Sequence, residues 1–183
     1  MASINDINID FQTLDYSNVD DISSPILINL ETSSQSFSTS NPIEWLYNNY
    51  SYQNVQSISL ANSTINTGSG NDVIDISTTA AASYLDNSWS WGNSYQNVQS
   101  IGLANSTINT GSGNDVIDIS TTAAASYLDN SWSWGNSIQI VQSIGLADST
   151  INTGSGDDSI NINSLATNEY LSRGILNLGD ANV

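Results

Sequence analysis

Apolar residues recur at every second position over short stretches, and the gaps between them are filled with Ser, Asn, Thr and Gly. In Val73-Ile-Asp-Ile-Ser77, Ile74 and Ile76 fall on one face of a predicted strand, and Val73, Asp75 and Ser77 fall on the other. Val55–Asn66 carries Val55, Ile58, Leu60 and Ile65 in broken alternation, a second strand region. Tyr84–Trp91 forms a third, with Tyr84, Trp89 and Trp91 around Asp86-Asn87. Between Val73–Ser77 and Tyr84–Trp91, Thr78–Ala82 reads as either a short helical turn or a tight corner packed with alanines.

This set of elements returns along the chain. Ser51–Asn93 and Ser94–Asn136 are 43 residues each and differ only at Ser59 against Gly102. A third copy starts at Ser137 and diverges: Tyr95 becomes Ile138, Asn105 becomes Asp148, Asn114 becomes Asp157 and Asp118 becomes Asn161. The organisation expected is an acidic N-terminal cap over 1–24, a degenerate repeat over 25–50, three repeats over 51–163 and a C-terminal cap over 164–183. The first cap alternates Ile4, Ile7 and Ile9 loosely with acids, which protects exposed strand edges from further pairing; a flexible acidic tail is the alternative. In the degenerate repeat Pro25-Ile-Leu-Ile-Asn-Leu30 stands in for the strand, and Trp45 and Tyr47 take the place of the later tryptophans.

A fixed period of this length is the mark of a solenoid. The fold class expected is all-β, a right-handed parallel β-solenoid of β-helix or β-roll type. Its repeat is either one coil or two. At about 3.3 Å per residue one repeat traces a path of roughly 140 Å, which only a flattened coil with two facing sheets can fill. The single turn motif per repeat favours that flattened coil.

The turn motif is Thr67-Gly-Ser-Gly-Asn-Asp-Val-Ile-Asp-Ile-Ser77, repeated at Thr110–Ser120 and, diverged, at Thr153–Asn163. Gly68 and Gly70 permit positive φ and a tight turn, and Asp72 sets a carboxylate at its end. A turn that offers oxygens suits a hard cation such as Ca²⁺, which takes six to eight of them. The stretch resembles the nonapeptide of repeat-in-toxin proteins, G-G-x-G-x-D-x-U-x with U a large apolar residue. Gly68, Gly70, Asp72 and Ile74 match it, as do Gly111, Gly113, Asp115 and Ile117, and Gly154, Gly156, Asp158 and Ile160. Thr67 stands where the first glycine belongs. The longer phrase Gly102–Asp115 is similar to the long-coil variant of cyanobacterial calcium-binding solenoids. The resemblance implies calcium at these glycines and aspartates, and an extracellular or cell-surface location reached by type I secretion.

Composition narrows the chemistry. Eighteen acids face a single Arg173, a formal charge of −17, so nucleic acid and anionic membrane surfaces are excluded as partners. Closely spaced carboxylates in such a chain need solvent, a proton or a metal. An aspartate that caps its own turn by hydrogen-bonding backbone amides is the alternative to calcium. Cysteine and histidine are absent, which removes thiolate and ordinary zinc sites and the usual nucleophilic triads. No apolar run reaches 18 residues, so no membrane insertion is expected, and the first residues, Met-Ala-Ser-Ile-Asn-Asp, lack the pattern of a cleaved signal.

Stacking would align Asp72/Asp115/Asp158, Asp75/Asp118, Asp86/Asp129, Tyr84/Tyr127, Trp89/Trp132, Trp91/Trp134 and Asn62/Asn105. The tryptophans are either core or, if outward, a strip for glycans. Asn49, Asn62 and Asn105 begin glycosylation sequons of the kind an Asn- and Ser-rich chain contains by chance. The reading is a non-enzymatic, calcium-binding structural protein of the cell exterior. Its partners are other copies, stacked end to end into filaments, or a cell-surface polysaccharide. A glycan- or ice-binding module displaying a Trp or Thr/Asn ladder is the alternative.

Overall fold

A computed structural model of the chain describes residues 2–9, 14–15, 27–36, 39–40, 51–86, 93–129, 136–171 and 175–181. Side chains are described over 54–82, 93–126 and 136–168. Fourteen strands follow in order, with no helix among the described residues. The first coil holds β1 (Ala2–Ile9), β2 (Leu14–Asp15), β3 (Leu27–Ser36) and β4 (Thr39–Ser40). The second holds β5 (Ser51–Ala61), β6 (Thr64–Asn66) and β7 (Val73–Asp86). The third repeats it as β8 (Ser94–Ala104), β9 (Thr107–Asn109) and β10 (Val116–Asp129). The fourth does so again as β11 (Ser137–Ala147), β12 (Thr150–Asn152) and β13 (Ser159–Leu171). After it comes β14 (Ile175–Ala181).

These strands form three parallel sheets, ordered β1-β5-β8-β11-β14, β2-β6-β9-β12 and β3-β7-β10-β13. The register is the decisive feature. Ser51 pairs with Ser94 and Ser94 with Ser137; Val73 pairs with Val116 and Val116 with Ser159. Each repeat is therefore one coil, and the fold is a parallel β-solenoid in which most residues sit on their own copy.

The coil is flattened for a reason written in side-chain size. Where the first sheet faces the third, the interior holds Val55, Ala80 and Ala82 with Val98, Ala123 and Ala125. Ser59 Oγ and Thr78 Oγ1 lie 2.6 Å apart across the gap, and Ser100 Oγ donates to the Thr78 carbonyl at 2.9 Å. Small side chains dominate this narrow space, and Gln96 and Gln139 are buried on the same face of β8 and β11. At the other end the short second sheet closes the coil, and Leu60, Ile65, Ile74 and Ile76 fill the wider corner. Along β5 the alternation breaks at Ser59 and Leu60, adjacent residues that are both fully buried, which turns the strand towards that corner.

Two expectations require correction. Thr78–Ala82 is neither a helical turn nor a corner, because β7 runs unbroken to Asp86. Alanine favours helix in isolation, but inward Ala80 and Ala82 supply the small contacts that the narrow interior needs, and packing overrides propensity. The region Val55–Asn66 is two strands, separated at Asn62, whose φ is 51°. Asparagine tolerates this left-handed conformation, and Asn105 and Asp148 repeat it at 48° and 49°.

At the N-terminal side, β1 pairs with β5 from Ala2↔Ser51 to Ile9↔Ile58, and β3 pairs with β7. Residues assigned above to the cap and to the degenerate repeat thus share one coil. At the other side β13 continues past Asn163 to Leu171, and β14 lies on β11. The tryptophans, Arg173, Asn49 and Tyr47 lie outside the described residues.

The inward and outward faces give a direct test. Ile117 is fully buried, whereas Val116 beside it is 37% exposed. Ile117→Ala should cost about 2–5 kcal/mol in urea denaturation, and Val116→Ala no more than about 1 kcal/mol. Equal losses would contradict this assignment of faces.

Candidate functional site

The turn column is built from the glycines upward. Gly68 and Gly70 have φ of 96° and 139°, Gly111 and Gly113 of 95° and 138°, and Gly154 and Gly156 of 82° and 144°. Positive φ explains half of the requirement. Crowding explains the rest: a Cβ on Gly111 would lie 1.7 Å from the Gly68 carbonyl oxygen, and one on Gly113 would lie 1.5 Å from that of Gly70. Successive turns lie directly on one another.

Their backbone groups are used in that stacking. Ser112 N–H donates to the Gly68 carbonyl at 3.0 Å, and Gly70 N–H donates to the Ser112 carbonyl at 2.8 Å. Ser155 and Gly113 repeat the pair one coil on, at 3.0 and 2.9 Å. The Thr67 hydroxyl, in the position where the repeat-in-toxin pattern has glycine, donates to the Thr110 carbonyl at 3.1 Å, as Thr110 does to Thr153. Threonine therefore adds a bond between coils that glycine lacks.

Two neighbouring columns then tie the coils in opposite directions. The Asn71 Oδ1 accepts the Asn114 N–H at 2.8 Å, and the Asn114 Oδ1 accepts the Asp157 N–H at 2.9 Å. One residue along, the Asp115 Oδ1 accepts the Asp72 N–H at 2.8 Å, and the Asp158 Oδ1 accepts the Asp115 N–H at 3.0 Å. The first column is exposed; Asp72 and Asp115 are fully buried. The carboxylate thus caps the turn of the preceding coil, not its own turn as the alternative reading expected.

The nine residues implicated by the resemblance fall in three adjacent columns of the stacked turns: Gly68/Gly111/Gly154, Gly70/Gly113/Gly156 and Asp72/Asp115/Asp158. Their chemistry divides. The glycines are required by turn-on-turn contact, and the Gly68 and Gly111 carbonyls accept amides of the next coil. Oxygen is left over at Asp115, whose Oδ2 is buried and meets no hydrogen-bond donor. A buried carboxylate oxygen without a donor is costly, and like charges one coil apart, about 4.8 Å, repel by about 0.9 kcal/mol even in water. An orphaned acidic oxygen in this column fits a cation. Among the described residues no three acidic side chains converge as a metal cluster, so the fit rests on the column rather than on a cage.

Other columns run beside this one. Asp75 is exposed and pairs in register with Asp118 and Asn161 on the outer face. Asp86 pairs with Asp129, and Tyr84 with Tyr127, along the backbone. Thr64/Thr107/Thr150 and Asn66/Asn109/Asn152 form two rows flanking the column Ile65/Ile108/Ile151, with Asn109 Nδ2 donating to Asn66 Oδ1 at 2.8 Å. Asn62 and Asn105 are exposed and joined at 2.6 Å.

Beyond Asn62/Asn105, sequence reasoning overlooked the amide ladders. Gln56 is bonded to Gln99, and Gln99 to Gln142; Asn97 donates to Asn54 at 2.8 Å, and buried Gln139 donates to Gln96. The signal was present, because a primary amide carries both a donor and an acceptor and so bonds its own copy.

Substitution at Asp115 separates its two roles. Asp115→Ala leaves the Asp72 N–H without its acceptor and should cost about 1–3 kcal/mol. Asp115→Asn keeps an acceptor oxygen and removes the buried charge, so in EGTA it should lose much less. Equal damage from both, measured as urea midpoints in EGTA, would contradict the amide-capping role.

No protein-family model, curated protein or solved structure matches the chain.

Proposed function

We propose that the chain is a non-catalytic structural β-solenoid of the cell exterior whose column of turn aspartates takes up calcium. The observation that carries this reading is the buried Asp115 Oδ2 without a hydrogen-bond donor, in a chain with 18 acids and one basic side chain. No protein cation is at hand to neutralise the column in any described residue. The donors available are oxygens alone, which selects a hard cation. Calcium tolerates irregular coordination better than magnesium does.

Asp72, Asp115 and Asp158 would hold the ion between successive coils. When bound, it supplies positive charge to a buried acidic column. The glycines serve by shape: they let the turns come close enough for one carboxylate to follow another. An extracellular setting accords with the repeat-in-toxin resemblance. A structural role is supported by the interchangeability of the coils, since an active site is singular and these units copy one another. The absence of His, Lys and Cys from the sequence supports it too.

Thermal unfolding tests the ion. A ligand of the native state alone at 100 times its Kd adds about 2.7 kcal/mol for one site, so millimolar calcium should raise the melting temperature relative to EGTA. Asp115→Asn should blunt that rise, while Asp75→Asn on the outer face should leave it intact. An unchanged melting temperature, or equal blunting by both variants, would overturn the reading.

A further inference from the structure

The two ends of the solenoid differ in what they leave uncovered. In the third sheet β13 is terminal, and in the second β12 is terminal; in the first, β14 lies on β11. The core beneath these edges is correspondingly open. Ile74 and Ile117 are fully buried, but Ile160, the next in their column, is 47% exposed. Leu146, Ile151 and Ile162 are only partly buried. Among the described residues nothing completes this end of the core.

A first coil fits it. Leu14 shares a column with Ile65, Ile28 with Ile74, and Leu30 with Ile76. If a second copy is set on the fourth coil in the register that relates each coil to the next, Leu14 falls over Ile151, Ile28 over Ile160 and Leu30 over Ile162. That arrangement continues the interface which already joins every coil to its neighbour. It requires the incoming β1 to lie on β11, since β1 pairs with the equivalent stretch of β5, Ser51–Ile58. That stretch corresponds to 137–144 of β11, and β14 already lies on Ile138–Ile144. The two strands claim one seat.

We propose that β14 is a plug which blocks end-to-end stacking of copies, and that its release opens a complete seat for the first coil of a second chain. A comparison of columns shows why the plug holds. Val55, Val98 and Val141 form a fully buried apolar column. At this register position β14 carries Leu178, whereas β1 carries Asp6. An acidic residue is the costlier one at a register position beside buried Val141, so the chain's own strand is the better occupant. Asp6 discourages stacking from one side and β14 prevents it from the other. The inference concerns the ends of the solenoid and does not depend on the cation.

The test uses the full chain in EGTA at about 0.5 M salt, which shortens the screening length to a few ångströms and suppresses repulsion between acidic copies. Analytical ultracentrifugation and negative-stain microscopy are the readouts. The parent chain should remain monomeric. Asn177→Pro/Gly179→Pro, which removes from β14 the N–H donors that the parallel register turns towards β11, should give elongated, concentration-dependent assemblies, and a peptide of sequence 175–181 should disperse them. Asp6→Leu, which leaves β14 untouched, should also promote stacking. Ile28→Asp added to either variant should restore the monomer. Monomers from both the proline and the Asp6 variants would overturn the proposal. So would assemblies that survive Ile28→Asp, or a parent chain that assembles as readily as the variants.

Discussion

Each residue from the second coil onward must tolerate its own copy about 4.8 Å away, and this constraint organises the structure. Aliphatic side chains gain by it, as the columns Ile65/Ile108 and Ile74/Ile117 do within one buried cluster. Primary amides gain more, since each can donate to the copy on one side and accept from the copy on the other. Hydroxyls reach carbonyls of the next coil, as Thr67 and Thr110 do. Carboxylates alone lose by it. The enrichment in Asn, Gln, Ser, Thr and Ile follows, and so does the attention that the aspartate column draws.

The cross-section follows from size. A coil of 43 residues cannot enclose a round core with side chains, so the first and third sheets close on one another through alanine, serine and threonine. The interior widens where the short second sheet intervenes, and there Leu60, Ile65, Ile74 and Ile76 are fully buried. The two clusters are the two ends of one flattened coil, and a large residue at Ala80 would force the sheets apart as surely as an alanine at Ile74 would leave a void.

Much of this was legible in the residues. The alternation of Val73 to Ser77 gave the correct inward face, the period gave the coil, and the paired glycines located the turn. Thr78–Ala82 misled because its composition speaks of local propensity while its conformation is decided by what lies across the interior. Asn62 gave no warning of its left-handed corner, since asparagine is common throughout the chain. At the turn the residues were found but their division of labour was not. Glycine reads as a source of accessible carbonyls, and only the stacked turns reveal that amides of the next coil occupy those of Gly68 and Gly111. Likewise, the opposite directions of the Asn71 and Asp72 staples depend on side-chain orientation, which no spacing encodes.

The account stands or falls on one coil per repeat, with each residue beside its own copy. The chain contains no cysteine, so a disulfide can be used as a ruler. Val73 and Val116 are register partners on the outer face, each 37% exposed. In adjacent coils their Cα atoms are about 4.8 Å apart, within the range a disulfide spans; with two coils per repeat the separation doubles and exceeds the limit of about 7 Å. Oxidation of the Val73→Cys/Val116→Cys variant under native conditions should give an intramolecular disulfide in most molecules. The Val73→Cys/Asp118→Cys variant, offset by two residues along the strand, should give little. Failure of the first pair to close, or equal closure of both, would contradict the stacked-copy architecture.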